Sequence, residues 1–211
     1  MSRILKPLKQ TAPEGVPNKK EARRRATRKR ILLAAIHLFA RLGYHKTTIQ
    51  DIAQHIGMTT GAVFHHYSAK PEILDEVVEE LAGSYDRYVD YLKQDHKDYP
   101  GLLTGLMEIF IDRYNTQSDL IIAQASLAAE FSGIRGPVME KVQGVHDIFV
   151  NALEDALNRI SPRPTHRAAA VCFISGLQGV ALQAIIRQGE MDIDELVAGF
   201  IRLVGDAPLI S

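Results

Sequence analysis

Histidines, cysteines and carboxylates are the residues able to ligate a metal or run acid–base chemistry, and this chain holds eight His, one Cys and 25 Asp and Glu. Their spacing serves neither purpose. His65 and His66 are adjacent, so on a helix their rings diverge by about 100° and share no ion. His45 and His55 are the only other histidines in that region. The sequence contains no His-Glu-x-x-His, no Cys-x-x-Cys, no Gly-x-Ser-x-Gly elbow and no phosphate loop. No metal site, no cofactor and no enzymatic activity is therefore expected.

A different chemistry, hydrogen bonding from a short exposed helix, is carried by Thr59, Thr60, Gly61, Ala62 and His65. Threonine exchanges hydrogen bonds with several bases and offers a methyl to thymine. Gly61 and Ala62 let a backbone come close. Such residues need an element that presents them. Thr48 with Asp51 fits a capping box that would open a helix, and Thr47 with Gln50 fits one almost equally well. Ile49, Ile52, Ala53 and Ile56 give that helix a buried face, and Gly57 permits the left-handed turn that follows. Met58 anchors the turn, Thr59 caps a second short helix, and Val63, Phe64 and Tyr67 are expected to point inward. Residues 48–67 thus read as a helix-turn-helix whose second helix fits the major groove of double-stranded DNA. The blander reading is a helical hairpin inside a larger core.

Charge decides between them. The chain is neutral overall, but residues 1–70 carry 14 Lys and Arg against three acids, and residues 71–211 carry 11 against 22. A basic head on an acidic body draws a polyanion to one end only. A core hairpin has no reason to sit in the basic part.

The remaining texture is helical. Residues 1–24 hold three prolines and scattered Lys and Arg, and read as a flexible basic arm. Arg23, Arg24, Arg25, Arg28, Lys29 and Arg30 are expected along a DNA backbone or in a minor groove. Ile31, Leu32, Ala35, Leu38, Phe39 and Leu42 form one apolar stripe closed by Gly43. Ser68 is expected to cap a long helix from Pro71 to about Asp95. Further helices are expected at about 102–115, 119–131, 138–160, 166–188 and 193–204. With no alternating strand pattern, the fold class is all-α. Cys172 stands alone, so no intrachain disulfide is possible and a cytoplasmic, nucleoid-associated setting is expected. No window reaches the ~18 uninterrupted apolar residues of a membrane span.

From about Arg25 to Tyr85 the chain resembles the DNA-binding domain of the TetR family of transcriptional regulators. The residues that carry the resemblance are TRKRILLAAIHLFARLGYHKTTIQDIA, GMTTGAVFHHYSAK and the helix that opens PEIL. The resemblance implies a three-helix head over residues 25–85 and a helical ligand-binding and dimerisation domain over 86–211. It implies a phosphate contact at Thr48 and base-reading positions at Thr59, Thr60, Gly61, Ala62 and His65. His66 and Tyr67 match the family's usual His-Phe, and Lys70 matches its phosphate-binding lysine. Phe64 stands where the family usually has a tyrosine, so it keeps a groove-side packing role without the hydroxyl, which Tyr67 is placed to supply.

The body is expected to hold an effector and a second subunit. Tyr85, Tyr88, Phe110 and Tyr114 are candidate pocket liners, as are Phe131, His146, Phe149 and Phe173. Mostly aromatic and uncharged, they suit a small apolar or amphipathic organic effector. Residues 168–186 are apolar on nearly all sides, and the last helix is wider than a one-face stripe, so homodimerisation through about 166–204 is expected. The function read from these features is a ligand-responsive regulator, a repressor bound as a dimer to a near-palindromic operator. The alternative is a DNA-binding protein of the same fold with no small-molecule effector, acting through a protein partner.

Overall fold

A computed structural model describes residues 19–133 and 136–205. The described residues form nine helices and no strand: α1 (Lys19–Leu42), α2 (Ile49–His55), α3 (Thr60–Phe64), α4 (Lys70–Gly83), α5 (Asp86–Leu92), α6 (Tyr99–Phe131), α7 (Pro137–Ile160), α8 (His166–Ile186) and α9 (Ile193–Gly205). The all-α class expected from the sequence is the one observed.

Helix α1 starts earlier than the basic arm allowed. Residues 1–18 of that arm lie outside the described residues, while 19–24 are already helical. The run EARRRATRKR is made of good helix formers, and Arg25 pairs with Glu21 one turn back at 2.6 Å. Its apolar stripe buries Ile31, Leu32, Ala35 and Phe39, and Gly43 ends it at φ +85°.

Two expected boundaries move. The helix foreseen from Pro71 to Asp95 breaks at Ser84–Tyr85 into α4 and α5, and its N-cap is Ala69 instead of Ser68. The Glu72 carboxylate explains the shift of cap: it accepts from both the backbone N–H and the hydroxyl of Ser68, at 2.7 and 2.9 Å. The two helices expected at 102–115 and 119–131 join end to end as α6, and the expected break between them stands at Gln117, whose backbone is not helical (φ −142°, ψ 34°).

The head is α1 to α4, and its core gathers Phe39, Ile52, Val63, Tyr67 and Ile73, all at most 1% exposed. In the body, α6, α7 and α8 pack on one another around Leu106, Leu127, Phe149, Leu153 and Leu177. Head and body meet chiefly where α6 lies along α1. Helix α8 is long and apolar enough to cross a membrane by composition alone. Its inner face is buried by Phe173, Ile174 and Leu177 against the body, and α9 closes over Gly176, where an added Cβ would meet the ring of Phe200. Gly179 has no such neighbour and faces outward.

Candidate functional site

The head builds the expected helix-turn-helix locally. The Thr48 side chain accepts from the Asp51 N–H at 3.1 Å, while the Asp51 carboxylate accepts from the Thr48 N–H at 2.8 Å, which completes the capping box at Thr48. The competing box at Thr47 does not form, because Thr47 is buried with its hydroxyl donating to the Gly43 carbonyl at 2.7 Å. The hydrogen bonds from Thr48 also hold the Asp51 carboxyl below the usual carboxylate range. Gly57 takes φ +66° in the turn. Thr59 then caps α3 by accepting from the Ala62 N–H at 3.2 Å.

One helical turn of α3 sets which residues face solvent. Val63 is buried at 0% exposure, as is Tyr67, just past the helix, at 1%. Gly61, Phe64 and His65 are exposed. Thr60, three residues before Val63 and on its side of the helix, is half-buried like Ala62, which corrects the outward place expected for both. Phe64 is 50% exposed, which corrects the expectation that it points inward. It adds a large apolar surface beside Gly61 and His65 on the outer face of α3.

Tyr67 is placed the other way. Its hydroxyl lies under α1, 3.5 Å from the Arg28 carbonyl, and the Arg28 guanidinium sits 4.0 Å above its ring. Burial, with the nearby Glu76 carboxylate second, drives its pKa well above the ordinary tyrosine value. A hydroxyl held there cannot serve a phosphate in place of the missing one at Phe64.

Arg28 itself is a structural residue that sequence reasoning assigned to the DNA-binding arm. It pairs with Glu76 at 2.6 Å, reaches Glu72 at 3.5 Å and donates to the His66 carbonyl at 2.6 Å. Arg30 likewise donates to the Ile56 carbonyl at 3.0 Å. His66 is half-buried, and burial followed by the positive charges of Arg24 and Arg28 lowers its pKa.

Lys70 faces the loop before α2. Its ammonium donates to the carbonyls of Tyr44 and Thr47 at 2.8 and 2.9 Å and lies 4.3 Å above the Tyr44 ring. The side chain thereby orders residues 44–47. The Lys70 N–H opens α4 without an intrahelical acceptor, while Pro71 has no N–H and the Glu72 N–H donates to the Ala69 carbonyl at 3.1 Å.

A second site lies in the body. Tyr85, Tyr88, Phe110 and Phe149 enclose a cavity of about 20 Å³, completed by Ile121, Ile174 and Leu177. Three polar side chains also line it: Arg113, Gln124 and Gln178. Tyr114, Phe131, His146 and Phe173 were expected there and are not in its wall. Phe131 packs on Tyr44 and His45 at the junction with the head. His146 stands one layer back, 2.9 Å from Gln178, and Phe173 stacks behind Phe149. The missed liners had a sequence signal. Arg113 and Gln124 are polar residues set at positions of α6 that continue its buried apolar stripe, with Phe110 one turn before the first and Leu127 one turn after the second.

A helix-turn-helix head carried on a helical body with an enclosed aromatic chamber is the architecture of a transcriptional regulator. Residues 31–77, the stretch that holds the helix-turn-helix, match the model for bacterial regulatory proteins of the tetR family. The HTH-type transcriptional repressor KstR2 of Mycolicibacterium smegmatis is 29% identical over 91 residues, which cover 41% of this chain and 44% of that one. The match thus spans less than half the length of that relative. The structure of the MbdR regulator from Azoarcus sp. CIB superposes with a TM-score of 0.75 at 18% identity, over 86% of this chain and 98% of that one. AibR, in complex with isovaleryl coenzyme A and operator DNA, gives 0.68 at 18% identity, over 83% and 96%.

Proposed function

We propose that the chain is a ligand-responsive repressor that binds a near-palindromic operator as a dimer and leaves it when a small effector enters the chamber. Residues 25–85 act as the DNA-binding head and 86–211 as the ligand-binding and dimerisation domain, at work on DNA in the cytoplasm. The reading rests above all on α6. Its first half lines the chamber with Phe110 and Arg113, and beyond the Gln117 kink its second half grips the head. There Asp119 holds His37 of α1 at 2.8 Å, and the His37 ring stacks on His55 of α2. A chamber as small as the present one accepts an effector only by shifting its walls, so an effector discriminates between two shapes of α6. That differential affinity is what a ligand needs to move an equilibrium.

In the head, Thr59, Thr60, Gly61, Ala62 and His65 read base edges, with Phe64 packing beside them in the groove. Thr48, His66 and the N-terminus of α4 at Lys70 take the phosphates. In the body, Val171, Leu182 and Ile186 of α8 and Ile201, Leu203 and Val204 of α9 are exposed, and together they form the dimer face. An apolar surface of this extent on two adjacent helices suits a self-complementary two-fold interface. A binding-site selection with the full chain, followed by footprinting of the selected site, tests the reading. A two-fold symmetric site is expected, and a site without symmetry refutes the dimeric part.

The tightness of the chamber favours one other reading, in which no small molecule enters and a protein partner sets the affinity for DNA. Thermal denaturation across a broad library of apolar metabolites separates the two, since a ligand of the folded state raises its stability.

A further inference from the structure

We propose that the chamber takes an organic acid, its carboxylate bound by Arg113, Gln124 and Tyr88 and its apolar body lying against Phe110, Phe149 and Leu177. The proposal rests on the reading of the chamber as an effector site and names the chemical class of the effector.

Arg113 is 8% exposed and forms no ion pair among the described residues. One amino group donates to the Ser84 hydroxyl at 2.8 Å, and the guanidinium lies 4.6 Å from the centre of the Tyr85 ring and 5.9 Å from that of Tyr88. The neighbouring acid, Asp112, faces outward and pairs with Arg87 at the surface. A buried cation without a counter-ion is costly, and an apolar side chain of similar volume would pack there at lower cost. What the folded protein alone does not explain, an anionic ligand does.

The polar atoms beside Arg113 share its lack of partners. Gln124 is 2% exposed; its carbonyl oxygen accepts from the Tyr85 hydroxyl at 3.0 Å, and its amino group finds no acceptor. The Arg113 Nε–H and the Tyr88 hydroxyl, also buried, have no partner but each other. Burial raises the Tyr88 pKa far above its ordinary value, so that hydroxyl remains a donor. The Gln124 amino group and the Tyr88 hydroxyl, with nothing to receive their protons, therefore meet beside the Arg113 cation on one cavity whose lining contains no Asp or Glu. A ligand that satisfies them must be an acceptor. A single guanidinium balances one negative charge, which a carboxylate carries; a phosphate group carries nearly two. The planar guanidinium also matches carboxylate geometry. The remaining wall is aromatic and aliphatic, which selects an acid with an apolar body. At about 20 Å³ the space holds roughly one water, so the body of the acid enters as the walls part.

The test uses matched acids and amides, benzoate with benzamide and octanoate with octanamide, titrated into the full-length chain by calorimetry and thermal shift. At least one acid is expected to bind tenfold or more tightly than its amide. Arg113→Met should abolish that preference and leave the melting temperature unchanged or higher, whereas a purely structural arginine would lower it on removal. Should that variant not fold, Tyr88→Phe decides, with the acid several-fold weaker and the amide unaffected. Equal binding of acid and amide, or a preference that survives these substitutions, overturns the acid proposal and leaves the chamber reading intact. If no probe binds, charged or neutral, both fall.

Discussion

The Glu130 carboxylate, near the end of α6 in the body, accepts the backbone N–H of Tyr44 in the head at 2.9 Å and that of His45 at 3.2 Å. On the other side of the same loop, the Lys70 ammonium takes the carbonyls of Tyr44 and Thr47. The loop that delivers the chain to the capping box at Thr48 is thus held by one residue from each domain. The body therefore bears on the loop that leads into α2.

Replacing Glu130 tests this clamp. Glu130→Ala leaves two amides without their charged acceptor, and loss of such a bond costs about 1–3 kcal/mol. The melting temperature should fall by a few degrees. Affinity for the selected operator should also drop several-fold, while the half-site preferred in a selection stays the same. A variant with altered sequence preference would show that Glu130 acts directly on the base-reading face.

Phe64 and Tyr67 should behave as opposites. Phe64→Ala removes an exposed ring, so stability should change by no more than about 0.5 kcal/mol while operator affinity falls. Tyr67→Phe removes only a buried hydroxyl and should leave operator affinity within about twofold; Tyr67→Ala should cost on the order of 3–5 kcal/mol. Gel-shift titrations and chemical denaturation of the three variants measure both quantities. A large loss of affinity in Tyr67→Phe at unchanged stability would return that hydroxyl to the phosphates.

Lys70→Met separates loop ordering from phosphate contact. With its ammonium turned to the 44–47 carbonyls, the variant should lose stability and bind all DNA sequences more weakly, at an unchanged slope of log affinity against log salt. A slope reduced by about one would show that the ammonium neutralises a phosphate.

The face formed by α8 and α9 predicts the assembly state. Leu182→Asp with Leu203→Asp places two charges on exposed positions, so the monomer should remain folded. Sedimentation should show a dimer for the native chain and a monomer for the double variant, with operator affinity reduced at least a hundredfold as one half-site is lost. An unchanged sedimentation coefficient would reject this face as the interface.

How far the sequence shows these features varies with how local they are. The cap at Thr59, the turn at Gly57 and most of the α1 stripe depend on neighbours within a few residues and are visible in the chain. Leu42 at the end of that stripe is nevertheless exposed, and the choice of Thr48 over Thr47 needed the burial of Thr47. The inward expectation for Phe64 failed because one step along a helix rotates a side chain by about 100°, and three aromatic or branched residues within five positions do not say which pair shares the core. Arg28 looked like part of a basic arm because its partners, Glu72 and Glu76, lie more than forty residues away. By contrast, the break expected between Asn115 and Ser118 was legible, since α6 leaves helical geometry at Gln117, between the two. The chamber was legible as an aromatic cluster. Its donors were not, because their meaning comes from what fails to face them.

Gly43 sits under the Glu130 carboxylate so closely that an added Cβ would collide with it, and its φ of +85° disfavours any larger residue. If the proposed repressor function holds, a genetic screen for derepression without effector should therefore return alleles at Gly43 beside those in α3. On the function proposed above, they would give a protein whose two domains no longer inform each other, so that its hold on DNA becomes indifferent to the proposed effector.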